Sequence, residues 1–302
     1  MKIDEIPTNS LDAFSTTLTS LTCDELAELL EQMKGLFTGS NLEELSPDKP
    51  VIFHGDLHGD VETVFRLWSR LGDRDRYQLV FLGDYIDRGP NQIEALLLVG
   101  ALKAQRPEEV VVLRGNHELD PRLSVYPHDY PEQLKWRCGS ELGTTLYKIS
   151  LDLFSKMPLY ALYRDYIGLH GGPPFSILHK CKGRPCLMEK SLGVLEDVLW
   201  SDPDELLGQA ICSWNDSLEE CIKENYYRGV GRIWGAGATR EFLERVGMRK
   251  IVRGHTSVEG HAIIHNKSVI TLFTRSGPPY YNSRASVLVV DGDEKIVSLN
   301  FM

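Results

Sequence analysis

Long apolar stretches and a surplus of basic residues are both missing from this sequence. Its longest uninterrupted run of apolar residues and glycine covers residues 95–102, whereas a membrane-spanning helix needs about 20 such residues. The 302 residues include 33 Lys and Arg against 43 Asp and Glu, a formal net charge of −10, and nucleic-acid binding calls for a basic face. We therefore expect neither a membrane partner nor a nucleic-acid partner. The hydrophobic content of 42% is typical of a soluble globular protein.

Cysteine is also sparse, and no two cysteines form a C-x-x-C pair. The six are Cys23, Cys138, Cys181, Cys186, Cys212 and Cys221. Because this density is too low for a disulfide scaffold, we expect reduced thiols. His179, Cys181 and Cys186 could supply zinc ligands if they converged. Their spacing matches no zinc ribbon or finger, so we favour free thiols in a loop.

The N-terminal segment has the pattern of a helical layer and lacks that of a targeting signal. Residues 1–7 contain acids and a proline where a secretory signal would have a basic and then an apolar stretch, so we expect a cytoplasmic protein. Thr22 and Glu25 have the spacing of a capping box ahead of an apolar repeat. The sequence predicts a helical layer over residues 1–48, packed on one large domain over residues 49–302.

Five short apolar runs each end at a turn that carries Asp, His or Asn. The runs are residues 51–53, 79–82, 110–113, 167–169 and 251–252. Helical patterns over residues 61–71 and 92–104 separate the first three runs, which is the order of an open α/β sheet. Functional sites in such sheets gather at the carboxyl ends of the strands. A turn at residues 291–294 between two apolar strands predicts a hairpin at the end of the chain.

The polar residues at the five turns should therefore meet around one point. They are Asp56, His58, Asp84, Asn116, His170 and His255. Carboxylate, amide and imidazole ligands suit hard to borderline divalent ions such as Mn²⁺, Fe²⁺ or Zn²⁺, and the set contains no thiolate. Six ligands are more than one tetrahedral ion needs. A pair of ions that shares one carboxylate accounts for all of them.

The turns carry an ordered set of motifs. They are Gly-Asp-Leu-His-Gly at 55–59, Gly-Asp-Tyr-Ile-Asp-Arg-Gly at 83–89, Arg-Gly-Asn-His-Glu at 114–118, His-Gly-Gly at 170–172 and Arg-Gly-His at 253–255. This set resembles that of the phosphoprotein phosphatase family, which contains the type 1 and type 2A serine/threonine phosphatases and calcineurin. The resemblance implies an α/β, calcineurin-like metallophosphoesterase fold, a central β-sandwich of mixed sheets flanked by helices. Residues 49–302 would form the catalytic domain.

The resemblance also implies a centre of two divalent metal ions. The implied ligands are Asp56 and His58 for one ion, Asp84 as the bridge, and Asn116, His170 and His255 for the other. Manganese is the first expectation, with iron or zinc as alternatives. Such a pair can clamp a phosphoryl group and lower the pKa of a bound water to about 7. The implied reaction is hydrolysis of phosphoserine or phosphothreonine by direct attack of a metal-bound hydroxide.

Further roles follow from the same resemblance. His117 would be the general acid that protonates the departing serine or threonine oxygen, and Asp87 would orient it. Arg88 and Arg228 would bind the substrate phosphate, because a guanidinium meets two phosphate oxygens at once. Arg232 lies close enough in sequence to Arg228 to compete for that role. The implied partners are a phosphoprotein substrate and, as in other members of the family, a regulatory subunit.

Two segments depart from the family pattern. Residues 173–193 do not follow it, and the loop at 274–282, which borders the substrate groove in the family, has a different sequence. In that loop Tyr280 and Tyr281 are candidates for an aromatic role at the groove. The other histidines are expected to be ordinary surface or strand residues: His54, His128, His179, His261 and His265.

Two alternative functions remain at this point. A symmetrical dinucleoside-tetraphosphate hydrolase of the same superfamily shares the early motifs, but such enzymes tend to have G-N-H-D and H-A-G. This chain has Gly-Asn-His-Glu at 115–118 and His-Gly-Gly at 170–172. A non-catalytic scaffold that binds phosphoproteins should have lost a ligand or the general acid, and the sequence retains all of them.

Overall fold

The computed structural model describes residues 1–301. Its α-helices are α1 (Leu11–Thr19), α2 (Cys23–Gly35), α3 (Val61–Ser69), α4 (Gln92–Gln105), α5 (Tyr130–Cys138), α6 (Ser140–Lys156), α7 (Phe175–Leu178), α8 (Leu192–Trp200) and α9 (Ala236–Val246). Its strands are β1 (Leu42–Glu44), β2 (Val51–His54), β3 (Gln78–Phe81), β4 (Val110–Val112), β5 (Tyr160–Tyr163), β6 (Tyr166–Gly168), β7 (Asp202–Pro203), β8 (Ile222–Glu224), β9 (Arg232–Trp234), β10 (Lys250–Arg253), β11 (His261–Ile264), β12 (Val269–Leu272), β13 (Arg284–Asp291) and β14 (Asp293–Asn300).

Two mixed sheets form the centre of the molecule. One has the order β1-β5-β6-β10-β12-β11 and the other the order β14-β13-β2-β3-β4. In the second sheet β2, β3 and β4 run parallel, whereas β13 pairs antiparallel with β2. Apolar side chains from both sheets, among them Phe53, Val80, Val252 and Ile270, form one buried cluster between them. The α/β sandwich predicted from the sequence is confirmed.

Helices cover the outer faces of both sheets. Successive side chains of a strand point to opposite faces, and in β2 Phe53 lies in the inner cluster while Ile52 packs among the helices α1 to α4. On the other sheet Leu162 and Ile251 pack against α8 and α9. Because both faces are covered, β2 and β3 are buried at every position, which explains the apolar runs within them.

The local signals at the chain's two ends agree with the structure. Thr22 and Glu25 form the expected capping box at the start of α2, with the Thr22 side chain accepting from the Glu25 N–H. The expected C-terminal hairpin is formed by β13 and β14. The N-terminal segment is not wholly helical, because β1 pairs parallel with β5 at the edge of the six-stranded sheet. The boundary at residue 48 stays a prediction. No helix in the described part of the chain is both long and apolar enough to span a bilayer.

The prediction of reduced cysteines is wrong. All six, which lie within residues 1–301, are paired as Cys23–Cys138, Cys181–Cys186 and Cys212–Cys221. The first pair joins the start of α2 to the end of α5, with Cα atoms 5.7 Å apart across 115 residues of sequence. Packing of two distant helices brings these thiols together, which local spacing cannot reveal. The second pair leaves no thiolates for the zinc site considered with His179.

Thiol titration tests this pairing. In protein purified without reductant and then denatured, a thiol reagent should find none of the six cysteines, and all six after reduction. A Cys23→Ser, Cys138→Ser variant should show four after reduction and should lose stability, since a cross-link over a long loop contributes about 2–4 kcal/mol to the free energy of unfolding. Six reactive thiols before reduction would restore the original expectation.

Candidate metal centre and active site

Five turns at the carboxyl ends of strands carry the candidate site. The turns follow β2, β3 and β4 of one sheet and β6 and β10 of the other. They place six side chains in one buried cluster: Asp56, His58, Asp84, Asn116, His170 and His255. Each is at most 7% exposed. The structure thus brings together all six residues that the sequence places at strand ends.

Asp84 lies at the centre of the cluster. Its Oδ2 is 3.5 Å from His58 Nε2, and its Oδ1 is 3.4 Å from His170 Nε2. The residue has a φ of 59°, a left-handed conformation that is uncommon outside glycine. Gly83 before it has a φ of 105°, and a Cβ there would meet the Gly115 backbone nitrogen at 2.5 Å. The two turns approach so closely that only glycine fits, and this sets Asp84 between the two histidines.

Asn116 and Asp56 complete the two sides of the cluster. The Asn116 Oδ1 is 3.0 Å from His170 Nε2 and 2.8 Å from His255 Nδ1. On the other side Asp56 Oδ2 is 3.9 Å from His58 Nε2, while its Oδ1 accepts from the His255 N–H at 2.8 Å. Asp84 therefore faces one group of ligand atoms on each side.

Backbone carbonyls orient two of the histidine rings. His58 Nδ1 lies 2.7 Å from the Ile86 carbonyl oxygen, and His170 Nδ1 lies 2.8 Å from that of Leu82. A carbonyl can only accept, so each Nδ1 carries a proton, and each Nε2 faces Asp84. This is the second contact that metal-binding histidines usually make.

The two carboxylates of the cluster have opposite pKa shifts. Burial and the charge of Asp84 raise the pKa of Asp56 to about 7. Burial would also raise the pKa of Asp84, but His170 and His117 hold it well below its usual range. Burial lowers the pKa of His58 to about 3, which keeps that ring neutral. Asp56 and Asp84 are two buried carboxylates that share the cluster with the neutral His58 ring, and a divalent cation would balance their negative charge.

The donor set fits two cations that share one carboxylate. The potential ligand atoms form two groups, and within each group all atoms lie within 4.8 Å of one another. One group is His58, Asp84 and His117, and the other is Asp84, His170 and His255. Asp84 belongs to both. Within residues 1–301, the buried His255 Nε2 has no hydrogen-bond partner. Oxygen and imidazole donors without thiolate suit Mn²⁺, Fe²⁺ or Zn²⁺.

Glu118 connects two of the ligand turns. Its carboxylate accepts from the N–H groups of Asp84 at 2.8 Å, Tyr85 at 2.9 Å and Gly115 at 2.9 Å. Arg114 donates from Nε to the Glu118 carbonyl oxygen at 2.9 Å and so braces the same turn. The turns after β3 and β4 are therefore held as one unit.

His117 and Asp87 form a short buried pair beside the cluster. His117 Nδ1 is 2.6 Å from Asp87 Oδ2, and the His117 N–H donates to Asp84 Oδ1 at 3.0 Å. Burial opposes a charged ring, but Asp84 and Asp87 together raise the pKa of His117. Because Nδ1 faces a carboxylate, Nε2 is the nitrogen left to exchange a proton with a substrate.

The two arginines expected to bind phosphate have different surroundings. Arg88 donates through one terminal nitrogen to the Tyr126 carbonyl oxygen at 3.0 Å, and among the described residues its buried Nε finds no partner. Arg228 is bound to the Asp202 carboxylate through Nε and, at 3.0 Å, through a terminal nitrogen. Arg232 lies near Asp197 and Glu224 instead. Two of the N–H donors of Arg228 are thus already used in hydrogen bonds to Asp202.

The divergent loop at 274–282 reaches the metal-ligand turn after β2. Buried Arg275 donates to the His58 carbonyl oxygen at 2.6 Å, and the Tyr280 ring stacks on the His58 ring with centroids 5.6 Å apart. Tyr281, in contrast, is 77% exposed. Of the two tyrosines, only Tyr280 touches a candidate ligand.

A comparison with known families decides the classification of this arrangement. The calcineurin-like phosphoesterase model matches residues 49–259. The chain belongs to the calcineurin-like phosphoesterase family. The match includes all five turns, and the family's dinuclear chemistry agrees with the two ligand groups that share Asp84.

One relative of this phosphoesterase has moderate sequence identity over most of the chain. It is 30% identical over 271 residues to a probable serine/threonine-protein phosphatase of Encephalitozoon cuniculi, and the alignment covers 88% of this chain and 55% of the relative. The chain thus spans about half the length of that protein.

Two solved structures share the fold. A protein serine/threonine phosphatase from Saccharomyces cerevisiae superposes with a TM-score of 0.77 at 22% identity, covering 97% of each chain. A cold-active protein-tyrosine phosphatase from a Shewanella species superposes with a TM-score of 0.52 at 20% identity, covering 85% of this chain and 82% of the other. At these identities the two likenesses establish the fold alone.

Two residues near the phosphoesterase site have contacts that the sequence does not predict. Asp202 accepts from Arg228, from Asn225 Nδ2 at 2.9 Å and from Thr256 Oγ1 at 2.6 Å. Asp202 lies in Leu-Trp-Ser-Asp-Pro at 199–203, which resembles another segment of the phosphoprotein phosphatase family, and this resemblance is the signal that could have found it. His128 was expected to be an ordinary histidine, and this is wrong, because its Nδ1 lies 2.7 Å from Asp87 Oδ2. No spacing or motif marks it.

Proposed function

We propose that this phosphoesterase hydrolyses phosphoserine and phosphothreonine in proteins. The observation that carries the proposal is the short His117–Asp87 pair next to the ligand cluster. A serine or threonine alkoxide is a poor leaving group, so its departure needs a proton donor placed beside the phosphate site. The probable phosphatase of Encephalitozoon cuniculi and the Saccharomyces cerevisiae phosphatase support this choice of substrate by their names.

The ligand set is proposed to hold two divalent ions. Asp84 would bridge them, with Asp56 and His58 on one side. The other side would have Asn116, His170 and His255. When bound, the ions would polarise the phosphate and activate the attacking water. We propose manganese as the metal, with iron or zinc as alternatives, because mixed carboxylate and imidazole donors suit all three.

The chain's own residues then orient the phosphate and supply a proton. Within the described part of the chain, Arg88 Nε has no hydrogen-bond partner, and Arg228 is held by Asp202. Both arginines are proposed to contact phosphate oxygens. His117 donates from Nδ1 to Asp87 and would give its Nε2 proton to the leaving oxygen. Tyr280, stacked on His58, would contact the substrate next to the phosphate, and the exposed Tyr281 would lie further out.

An assay on three substrates tests the proposal. Purified protein loaded with Mn²⁺ is incubated with a phosphothreonine peptide, a phosphotyrosine peptide and diadenosine tetraphosphate. We expect turnover of the phosphothreonine peptide, stimulated by added metal and abolished by a chelator. Turnover of the nucleotide alone would favour the dinucleoside-tetraphosphate hydrolase. No turnover of any substrate by metal-loaded protein would favour a scaffold.

The binding partners of the protein and its cellular compartment are also proposals. A phosphoprotein substrate follows from the activity, and a regulatory subunit is an expectation from the family resemblance. The net charge of −10 supports the absence of a nucleic-acid partner. The cytoplasmic location stays a prediction, and the three disulfides are instead typical of an oxidising compartment.

A further inference from the structure

A second histidine shares the carboxylate of the proposed acid pair. His128 Nδ1 is 2.7 Å from Asp87 Oδ2, the same oxygen that His117 Nδ1 approaches at 2.6 Å. The other oxygen, Oδ1, accepts from the N–H groups of Asp129 at 3.0 Å and Tyr130 at 2.9 Å. Asp87 is fully buried. Four hydrogen bonds therefore hold the Asp87 carboxylate in one orientation.

The far side of the His128 ring is also engaged. Its Nε2 lies 2.8 Å from the Tyr147 hydroxyl, which belongs to α6. Burial and the charge of Asp87 raise the pKa of Tyr147 to about 12, so this hydroxyl keeps its proton. With an ionised carboxylate on one side and a phenol on the other, Nδ1 must carry a proton. The ring is thus a fixed donor to Asp87, clamped between two elements.

Among residues 1–301, Asp87 is the one charged partner of the His128 Nδ1. Asp87 faces it from the turn after β3 and Tyr147 faces it from α6. Asp129, its neighbour in sequence, turns its carboxylate to the Arg88 N–H and to Gln92 Nε2. The His128 ring itself contacts Asp87 and Tyr147, so we expect its effect on the reaction to pass through Asp87.

We propose that His128 is a positioning residue for His117, acting through Asp87. This inference rests on the proposed function, in which His117 protonates the leaving oxygen. Each of two imidazole donors to Oδ2 restricts rotation of the Asp87 carboxylate about its last torsion. Without His128 only His117 would hold that oxygen, and the two groups could turn together away from the leaving oxygen. The loss should appear only where the leaving group needs a proton.

The test compares a donor deletion with a donor replacement. His128→Phe keeps a ring of similar shape but removes the Nδ1 donor, whereas His128→Asn places an amide N–H near the position of Nδ1. The control is His179→Phe, the same change at an exposed histidine after α7. For His128→Phe we expect kcat on a phosphothreonine peptide to fall by about 10-fold, part of what a general acid contributes, with KM and bound metal unchanged.

Two comparisons separate positioning from a general structural effect. Turnover of p-nitrophenyl phosphate, whose leaving group needs no proton, should stay within about 2-fold of the wild type in His128→Phe. His128→Asn should recover most of the loss on the peptide. Equal losses on both substrates, or an unchanged kcat on both, would overturn the proposal while wild-type activity still upheld the proposed function. A wild-type protein inactive on phosphopeptides would instead reject the function.

A spectroscopic measurement covers the case in which His128→Phe does not fold. Long-range ¹H–¹⁵N spectra of the wild-type protein report which imidazole nitrogens carry protons, independently of activity and of metal loading. We expect a His128 ring with a protonated Nδ1. A His128 ring whose Nδ1 lacks a proton cannot donate to Asp87 and would overturn the proposal.

Discussion

The variant His117→Asn is expected to lose about 10²–10⁴-fold in kcat on phosphothreonine peptides. The asparagine amide can still donate to Asp87, as His117 Nδ1 does at 2.6 Å, so the turn keeps its shape. What disappears is the proton at Nε2 that the departing alkoxide needs. On p-nitrophenyl phosphate the loss should be small, because p-nitrophenolate leaves without protonation. Steady-state kinetics on both substrates provide the measurement.

Metal content is the control for this variant. His117 is not among the proposed ligands, although its ring lies within ligand distance of His58 and Asp84. Elemental analysis should therefore find as much metal in His117→Asn as in the wild type. Similar losses on both phosphate esters would contradict the general-acid role. A lower metal content would indicate that His117 is a metal ligand.

The variant Asp84→Asn should lose both bound metal and activity. Asp84 is the one residue common to both groups of ligand atoms, with Oδ1 towards His170 and Oδ2 towards His58. An amide has a single, uncharged oxygen acceptor and cannot serve two cations in this way. We expect the bound metal to fall from about two ions to about one or fewer, and turnover to fall by at least about 10²-fold.

A matched substitution separates this effect from a general loss of charge. Asp152→Asn makes the same change on the exposed face of α6 and should bind metal and turn over substrate as the wild type does. Elemental analysis after purification without added metal measures the result directly. Two full equivalents of metal in Asp84→Asn would reject the bridging assignment.

The parts of the fold that could be predicted from the sequence are those specified by neighbouring residues. The buried strands β2 to β4, the helices α3 and α4 between them and the polar turns at their ends each follow from a short pattern. The capping box of Thr22 and Glu25 is equally local. Strand β1 could not be found in this way, because its residues, Leu-Glu-Glu, are also common in loops. It is a strand because it pairs with β5, which is distant in sequence.

The parts of the site that could not be predicted depend on orientation or on distant contacts. The family resemblance implies that Arg228 binds the phosphate, but it does not reveal the bond to Asp202, because the direction of a guanidinium depends on which carboxylate lies near. The bond from Cys23 to Cys138 requires knowledge of how α2 packs against α5 and α6. His128 lies 41 residues from Asp87 in sequence, and a lone histidine gives no indication of the partner that the fold will provide.

The strand order has a practical consequence for anyone who divides this chain. The family match ends at residue 259, yet β13, beyond that point, covers the edge of β2 through the pairs from Val287 with His54 to Val290 with Val51. Strand β12 covers β10 in the other sheet. A fragment limited to residues 49–259 would keep every proposed metal ligand and expose two apolar strand edges, which are templates for aggregation. The segment that carries the proposed metal ligands and the segment needed to cover the sheet edges therefore have different boundaries.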